Sequence, residues 1–368
     1  MIRELKFKKA FAKTVARFEA WWNQEIIDRP PVSLGVKTSR PYAGPGPKKY
    51  DSFRDQWFDV EYRVDCAVAD MDRRDYVGDA FPSFNPNMGP EVTATVFGVE
   101  LEYTQTTSWA VPIVKSAAQW REIITAKPDY GNPYWRAVER LMDYAIEICD
   151  GRYVVGITDL HGNYDILAAL REPQELCLDL VDCPEVLDQA CAKATECFIE
   201  LFNRSWRKVA AAGFGSTTWC SCYHEGPMYI PSCDFWCMMS TQMGRERVWP
   251  FTLKEMQPLD CSHYHLDGPD ALRYLDLLLE CPQLNSVQWV FGSGHGPAMK
   301  WLDVYKRIQA AGKSMEIPCS GPKEAMDFLE QLRPEGLWLH AGGFDSIESA
   351  NNFLKDVEKL AARRRKSP

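Results

Sequence analysis

Histidine and aspartate dominate the residues of this 368-residue chain that could do chemistry. Five of the six histidines, His161, His224, His265, His295 and His340, fall at or just after the C-terminal end of a segment that reads as a β-strand. In a (β/α)8 barrel that edge carries the catalytic groups, so the clustering points to a site assembled from several strand ends. His263 shares the segment His263-Tyr264-His265-Leu266-Asp267-Gly268 with His265, and period-two geometry puts His263, His265 and Asp267 on one side of it. An imidazole beside a carboxylate is equipment for general acid–base catalysis or for holding a substrate hydroxyl. The plainer reading of Asp267-Gly268 is a strand-to-helix turn, with Asp270 capping the next helix.

Other segments offer weaker chemistry. Cys220-Ser221-Cys222-Tyr223-His224 puts two thiols and an imidazole on one face of a strand, either as a soft metal site or as small thiols filling a barrel layer under a pocket histidine. The second reading is the better one, because Cys-x-Cys in a strand is far less specific than paired Cys-x-x-Cys knuckles. Ser293-Gly294-His295-Gly296-Pro297 reads as a substrate-facing loop, or merely as a turn that needs glycine. Trp219 is one of several tryptophans that could floor a pocket for a flat substrate. Arg40 and Lys37, just beyond the first strand, could seat a carboxylate or phosphate, or simply be exposed loop charges.

The elements that must position these groups alternate. Apolar positions at helical spacing over residues 5–23 (Phe7, Phe11, Val15, Phe18, Trp21, Trp22) end at Asp28-Arg29-Pro30-Pro31, before a first strand at Val32–Val36. Further strand-like runs occur at Asp79–Phe84, Tyr153–Leu160, Ser216–Tyr223, His263–Asp267, Ser286–Phe291, Ser314–Pro318 and Gly336–His340. Helical patterns fall between most of them, and alternating β and α units imply parallel strands. Eight strands suit a single (β/α)8 TIM barrel with an N-terminal helix. Residues 85–115 read as a loop and extra strands inserted after the second barrel strand. Neither a repeat of 20–50 residues nor a low-complexity linker is visible, so one domain over residues 1–368 is the economical reading.

Composition narrows the function classes. A formal charge of −9, with no basic stripe beyond the solvated run Arg363-Arg364-Arg365-Lys366, argues against nucleic acid as a partner. No apolar run approaches a membrane span, and the charged start Met1-Ile2-Arg3-Glu4 is unlike a signal peptide. The expected location is cytoplasmic. Thirteen cysteines, an odd number scattered through the chain, then read as reduced thiols.

The order of motifs resembles the uroporphyrinogen decarboxylase superfamily, which includes corrinoid-dependent methyltransferases, from about Arg29 onward. It rests on Asp28-Arg29-Pro30-Pro31-Val32, on Leu160-His161-Gly162-Asn163-Tyr164-Asp165 leading into a helix, on Leu176-Cys177-Leu178-Asp179-Leu180 and on Cys183-Pro184-Glu185-Val186-Leu187. Cys233-Asp234-Phe235-Trp236-Cys237-Met238-Met239-Ser240 and His265-Leu266-Asp267-Gly268 complete it. No one stretch is diagnostic, but their order and spacing together are specific. The resemblance implies a TIM barrel with its cleft at the strand C-termini. True uroporphyrinogen decarboxylases carry a Gln-Ala-Gly-Arg signature after the first strand and an aspartate after the second. Here those regions read Lys37-Thr38-Ser39-Arg40-Pro41-Tyr42 and Phe84-Asn85-Pro86-Asn87, so tetrapyrrole decarboxylation is not expected.

The superfamily's zinc methyltransferases bind metal through a His-x-Cys pair and a late cysteine. At those places this chain offers His265-Leu266-Asp267 and His340, an N,O,N set that suits Zn2+ and leaves a position open. The resemblance therefore implies an enzyme moving a methyl group between a small substrate and a thiol cofactor or a corrinoid carried by a separate protein. In it His265, Asp267 and His340 hold a metal, His224 or His161 manages protons, and Arg40 or Asn87 orients the substrate. Two alternatives stay open. One is a metal-free decarboxylase or lyase using His265 and Asp267 as acid and base, the other a barrel that binds a small molecule without chemistry.

Overall fold

The computed structural model describes residues 4–38 and 40–365, so Met1, Ile2, Arg3, Ser39 and Lys366 of the segments above lie outside the described residues. Its strands are β1 Val32–Val36, β2 Val77–Gly78, β3 Ser83–Phe84, β4 Glu100–Tyr103, β5 Ser108–Val111, β6 Val154–Val155, β7 Met228–Tyr229, β8 Cys261–Asp267, β9 Ser286–Val290, β10 Ser314–Pro318 and β11 Leu337–Phe344. One sheet runs in the order β2-β1-β11-β10-β9-β8-β7. Its strands from β1 through β7 are parallel, and β2 adds antiparallel at the edge. β3 and β6 pair separately in parallel, and β4 with β5 forms the antiparallel hairpin of the 85–115 insertion. The central strands read as nearly unbroken buried runs because helices cover the sheet outside and side chains fill it inside.

The fold is α/β with a parallel sheet, as expected, but the ladder is open where a closed eight-stranded barrel is expected. The ladder is interrupted between the β2–β1 edge and β3, and again between β6 and β7 at residues 216–223. Residues 216–223 do not run on as a strand: the chain turns over Thr218–Ser221 and comes back, so that Ser216 pairs antiparallel with His224. Ser221 adopts a positive φ of 57°, which no extended strand permits. The returning arm is buried, with Cys222 against Met228 and Tyr223 against Phe11 and Phe81. Burial on both faces gives this hairpin the composition of a strand without its geometry. Across this second interruption, Ile157 donates its N–H to the Thr217 carbonyl.

Helix α1, Phe11–Trp22, caps the N-terminal ends of the strands. Its Phe11, Val15, Phe18 and Trp22 recur at helical spacing and are buried. The Trp21 indole donates to the Gly336 carbonyl just before β11, and that of Trp22 donates to the Tyr223 carbonyl. Beside them lies a buried ionic knot. Asp79 accepts from Arg17 Nη1 at 2.9 Å, from Arg29 Nη1 and from the Val32 N–H at 2.9 Å. Arg29 of the Asp28-Arg29-Pro30-Pro31 motif is thus a tie at the closed end of the sheet. Among the described residues, no helix is long and apolar enough to cross a membrane.

Candidate functional site

The chemistry gathers at the other end of the strands, where three carriers converge. Beyond β6, Tyr229 holds the segment that carries Asp159 and His161, because its hydroxyl donates to the Thr158 carbonyl at 2.9 Å and accepts the Leu160 N–H. The helix Asn163–Arg171 follows at once. Its start is fixed by Glu255, which accepts from Asn163 N at 2.8 Å and from Asn163 Nδ2 at 2.9 Å. Gly162 is required there: a Cβ would fall 2.2 Å from the Glu255 carboxylate. Burial pushes Glu255 up to about 8 against those two hydrogen bonds.

A folded value above the unfolded one means that the native state holds the Glu255 proton longer. This contribution to stability is complete below the ordinary glutamate range near ~4.3 and is lost as pH rises through about 8. The expected outcome is a melting temperature that falls across that window, with a shallower fall in Glu255→Gln. Equal slopes in the two proteins would refute the assignment.

The second carrier is the stretch Pro231–Asp234, which continues from β7. The His265 N–H bonds to the Pro231 carbonyl, and Ser232 bridges in parallel to His265, so Asp234 arrives beside the end of β8. Asp165, one turn into the helix after His161, accepts the N–H groups of Asp234 at 3.0 Å and Phe235 at 2.8 Å, tying the two carriers together. Burial and the neighbouring Asp234 charge push Asp165 up to about 6. The third carrier is β8 itself. His265 Nδ1 hydrogen-bonds Gln288 Oε1, and the Trp219 ring meets the imidazole edge-on at 5.2 Å. Asp267, the last residue of β8, is raised by burial, which the neighbouring His265 opposes.

Two features result. Ligand atoms of Asp234, His265 and Asp267 lie within 4.8 Å of one another. Asp234 also joins His161, Asp165 and Phe235 in lining a cavity of about 410 Å³, whose far wall, Glu91 and Trp109, comes from the insertion. Burial opposes a charged imidazole at His161, but the carboxylates of Asp159, Asp165, Asp234 and Glu91 together raise it above the ordinary histidine value. Neither Lys nor Arg is among the residues that line the cavity.

The structure therefore brings His161, His265, Asp267 and Trp219 to one end of the sheet and sets the other candidates apart. His340 is not with the proposed ligands. Its Nε2 lies 3.0 Å from Glu316 Oε1, and among the described residues the donor that completes His265 and Asp267 is Asp234. His224 lies toward the opposite mouth, its Nδ1 accepting from Gly226 N beside Asp260, which precedes β8, and its ring 6.1 Å from Trp22. Arg40 is exposed and spends its guanidinium on the Arg74 carbonyl and on Asp75 at 2.9 Å. Asn87 closes a turn by accepting from Gly89 N at 2.7 Å. His295 is exposed in the loop after β9, its carbonyl accepting from the Trp301 indole.

Sequence reasoning missed Asp159, Asp165, Asp234 and Glu91 as site groups. A period-two signal existed for one: Asp159 and His161 fall on one side of an extended segment. Below the site, Glu316 accepts from His263 Nε2 at 3.1 Å and from Gln288 Nε2 at 2.7 Å. Although burial works against its charge, His340 and His263 hold Glu316 down at about 2.

Compared with solved structures, the chain matches a methyltransferase from Methanosarcina mazei with a TM-score of 0.60 at 15% identity, over 96% of this chain and 98% of that one. This chain shares that methyltransferase's fold. A B12-independent methionine synthase from Shewanella sp. W3-18-1 aligns over 92% of this chain and 97% of its own at 8% identity, with a TM-score of 0.40. No family model matches the sequence, and no curated protein matches it.

Proposed function

We propose that this chain is a methyl-transfer enzyme whose centre is Asp234, His265 and Asp267 at the mouth of the cavity that His161 and Asp165 line. The observation that carries this reading is the convergence of those three donors at the strand C-termini of a methyltransferase fold. One imidazole and two carboxylates suit Zn2+ with a position left open, as in catalytic rather than structural sites. Bound there, zinc would supply Lewis acidity that lowers the pKa of the group accepting or releasing the methyl.

The chain's own residues do the rest. His161, held toward its charged form by the surrounding carboxylates, gives or takes a proton at a ring nitrogen. Phe235 and Trp109 give the cavity an apolar wall while Asp165 fixes the Asp234 loop. The methyl carrier in this reading is a corrinoid on a separate protein, and the other substrate is a small molecule. A carboxylated substrate is disfavoured: the cavity wall presents four carboxylates (Glu91, Asp165, Glu172 and Asp234) against the single imidazole of His161 and neither Lys nor Arg, which weighs against the decarboxylase alternative.

Methylcobalamin can stand in for the carrier. With zinc-loaded protein and a panel of small thiols and amines, its absorption spectrum is expected to lose the methyl–cobalt form, and Asp234→Ala to slow that loss at least tenfold with an unchanged melting transition. An unaltered spectrum with every acceptor tried, or an Asp234→Ala protein as active as wild type, would overturn the proposal.

A further inference from the structure

We infer that Gln288, locked by Glu316, is a positioning residue that fixes His265 in the tautomer carrying its proton on Nδ1, leaving Nε2 as the only lone pair on the ring. The argument begins at the carboxylate. Glu316 is buried in the sheet interior and faces His263 Nε2 at 3.1 Å and His340 Nε2 at 3.0 Å, so it sits where cationic or N–H-bearing partners surround an acceptor. Its Oε2 is 2.7 Å from the Gln288 side-chain nitrogen. The same nitrogen lies 3.1 Å from Cys220 Sγ.

An amide nitrogen has two protons, and here each has an acceptor. Turning the amide over would set its carbonyl oxygen against a carboxylate oxygen, exchanging a charge-assisted hydrogen bond for a repulsion in a buried place. The Gln288 carbonyl therefore faces His265, and a carbonyl oxygen can only accept. His265 Nδ1, its partner, must carry the proton. The parallel register of β8, β9 and β10 places the three residues in this line: His265 pairs with Gln288, and Gln288 with Glu316. One buried acid thus sets the state of a ring at the strand edge two hydrogen bonds away. Trp219, edge-on to that ring at 5.2 Å, packs against the orientation so chosen.

The assignment of a role to this tautomer rests on the reading of His265 as a site residue, because a ligand or base needs a bare nitrogen at the right atom. Its test is independent of that reading. In the full chain with 15N-labelled histidine, long-range proton–nitrogen correlations recorded above the ordinary imidazole range report which ring nitrogen is protonated. The His265 signals are identified by their loss in His265→Gln. Wild type is expected to show His265 as the Nδ1–H form. Gln288→Leu is expected to move it to Nε2–H or to an exchanging mixture, and Glu316→Gln, which frees the amide to turn, to populate both forms.

A wild-type spectrum with the proton on Nε2, or an unchanged Nδ1–H signature in Gln288→Leu, would overturn the inference, and the wild-type spectrum decides alone if a variant does not fold. Zinc titration separates the two readings. Gln288→Leu should weaken zinc ten- to a hundredfold, the usual cost of losing an outer partner of a metal-binding histidine. An Nδ1–H wild type that binds no zinc would remove the metal reading and leave Gln288 as the residue that sets the tautomer.

Discussion

His265→Ala is expected to abolish zinc binding while leaving the melting transition near its wild-type value. Three donors from two segments meet here: Asp234 from the stretch after β7, and His265 and Asp267 from β8. Removing the single nitrogen leaves two carboxylates, a set better suited to magnesium or calcium than to zinc. The loss should exceed about a hundredfold, the upper end of what an outer-partner mutation costs. Folding should tolerate it, since the ring lies at the strand edge and not in the packed layers beneath. Calorimetric titration of zinc into metal-free protein checks this. Equal affinity in wild type and variant, or no heat in either, would remove the metal from the site. Asp267→Cys, which supplies a softer ligand at the same place, should tighten binding, and acid should loosen it because ligating groups must first lose their protons.

Asp79→Ala should destabilise the protein by about 3–5 kcal/mol, the range for removing one partner of a buried ion pair. Asp79 is fully buried and satisfies Arg17, Arg29 and the first N–H of β1 together. Alanine leaves two guanidinium groups facing each other in the closed end of the sheet. Arg17 retains Asp28 at 2.6 Å, but Arg29 keeps the Pro30 carbonyl at 2.9 Å and, for its charge, a 3.8 Å approach to the half-exposed Glu358. Asp79→Asn, which preserves shape and one acceptor oxygen, should lie between. Thermal and urea unfolding measure the difference, and a loss below about 1 kcal/mol would mean that water reaches the arginines after all.

Strand positions were most readable where both faces are buried. Ser314–Pro318 is the strand that its apolar run marks, and Ser286–Val290 and Cys261–Asp267 differ from expectation only at their ends. Residues 216–223 misled because β-branched and aromatic composition reports a buried pleated surface, and a hairpin buried in the sheet interior meets the same demand. The helices Phe53–Phe58 and Val60–Asp72 escaped notice: they mix charge through their faces and bury few residues.

At the site, spacing alone joined His265 to Asp267, since period two is local. Asp234 reaches them only through the pairing of Ser232 with His265, a contact between segments that no local pattern encodes. His340 is expected to end its strand, but β11 runs on to Phe344 and leaves His340 in mid-strand. What decided its partner was Glu316 on the adjacent β10, a carboxylate that an apolar strand pattern passes over.

Helix α1 has a kinetic cost that its static packing conceals. Its Trp21 waits for a carbonyl 315 residues later in the chain. At ordinary synthesis rates of about 5–20 residues per second, roughly 15 to 60 s pass between the two leaving the ribosome. Phe11 and Phe18 meet Phe81, and Trp22 meets Tyr223, earlier in synthesis, but the Trp21 indole lacks its native acceptor throughout that interval. The end of the sheet where Trp21 meets Gly336 and β1 meets β11 can be completed only after the last strand has been made.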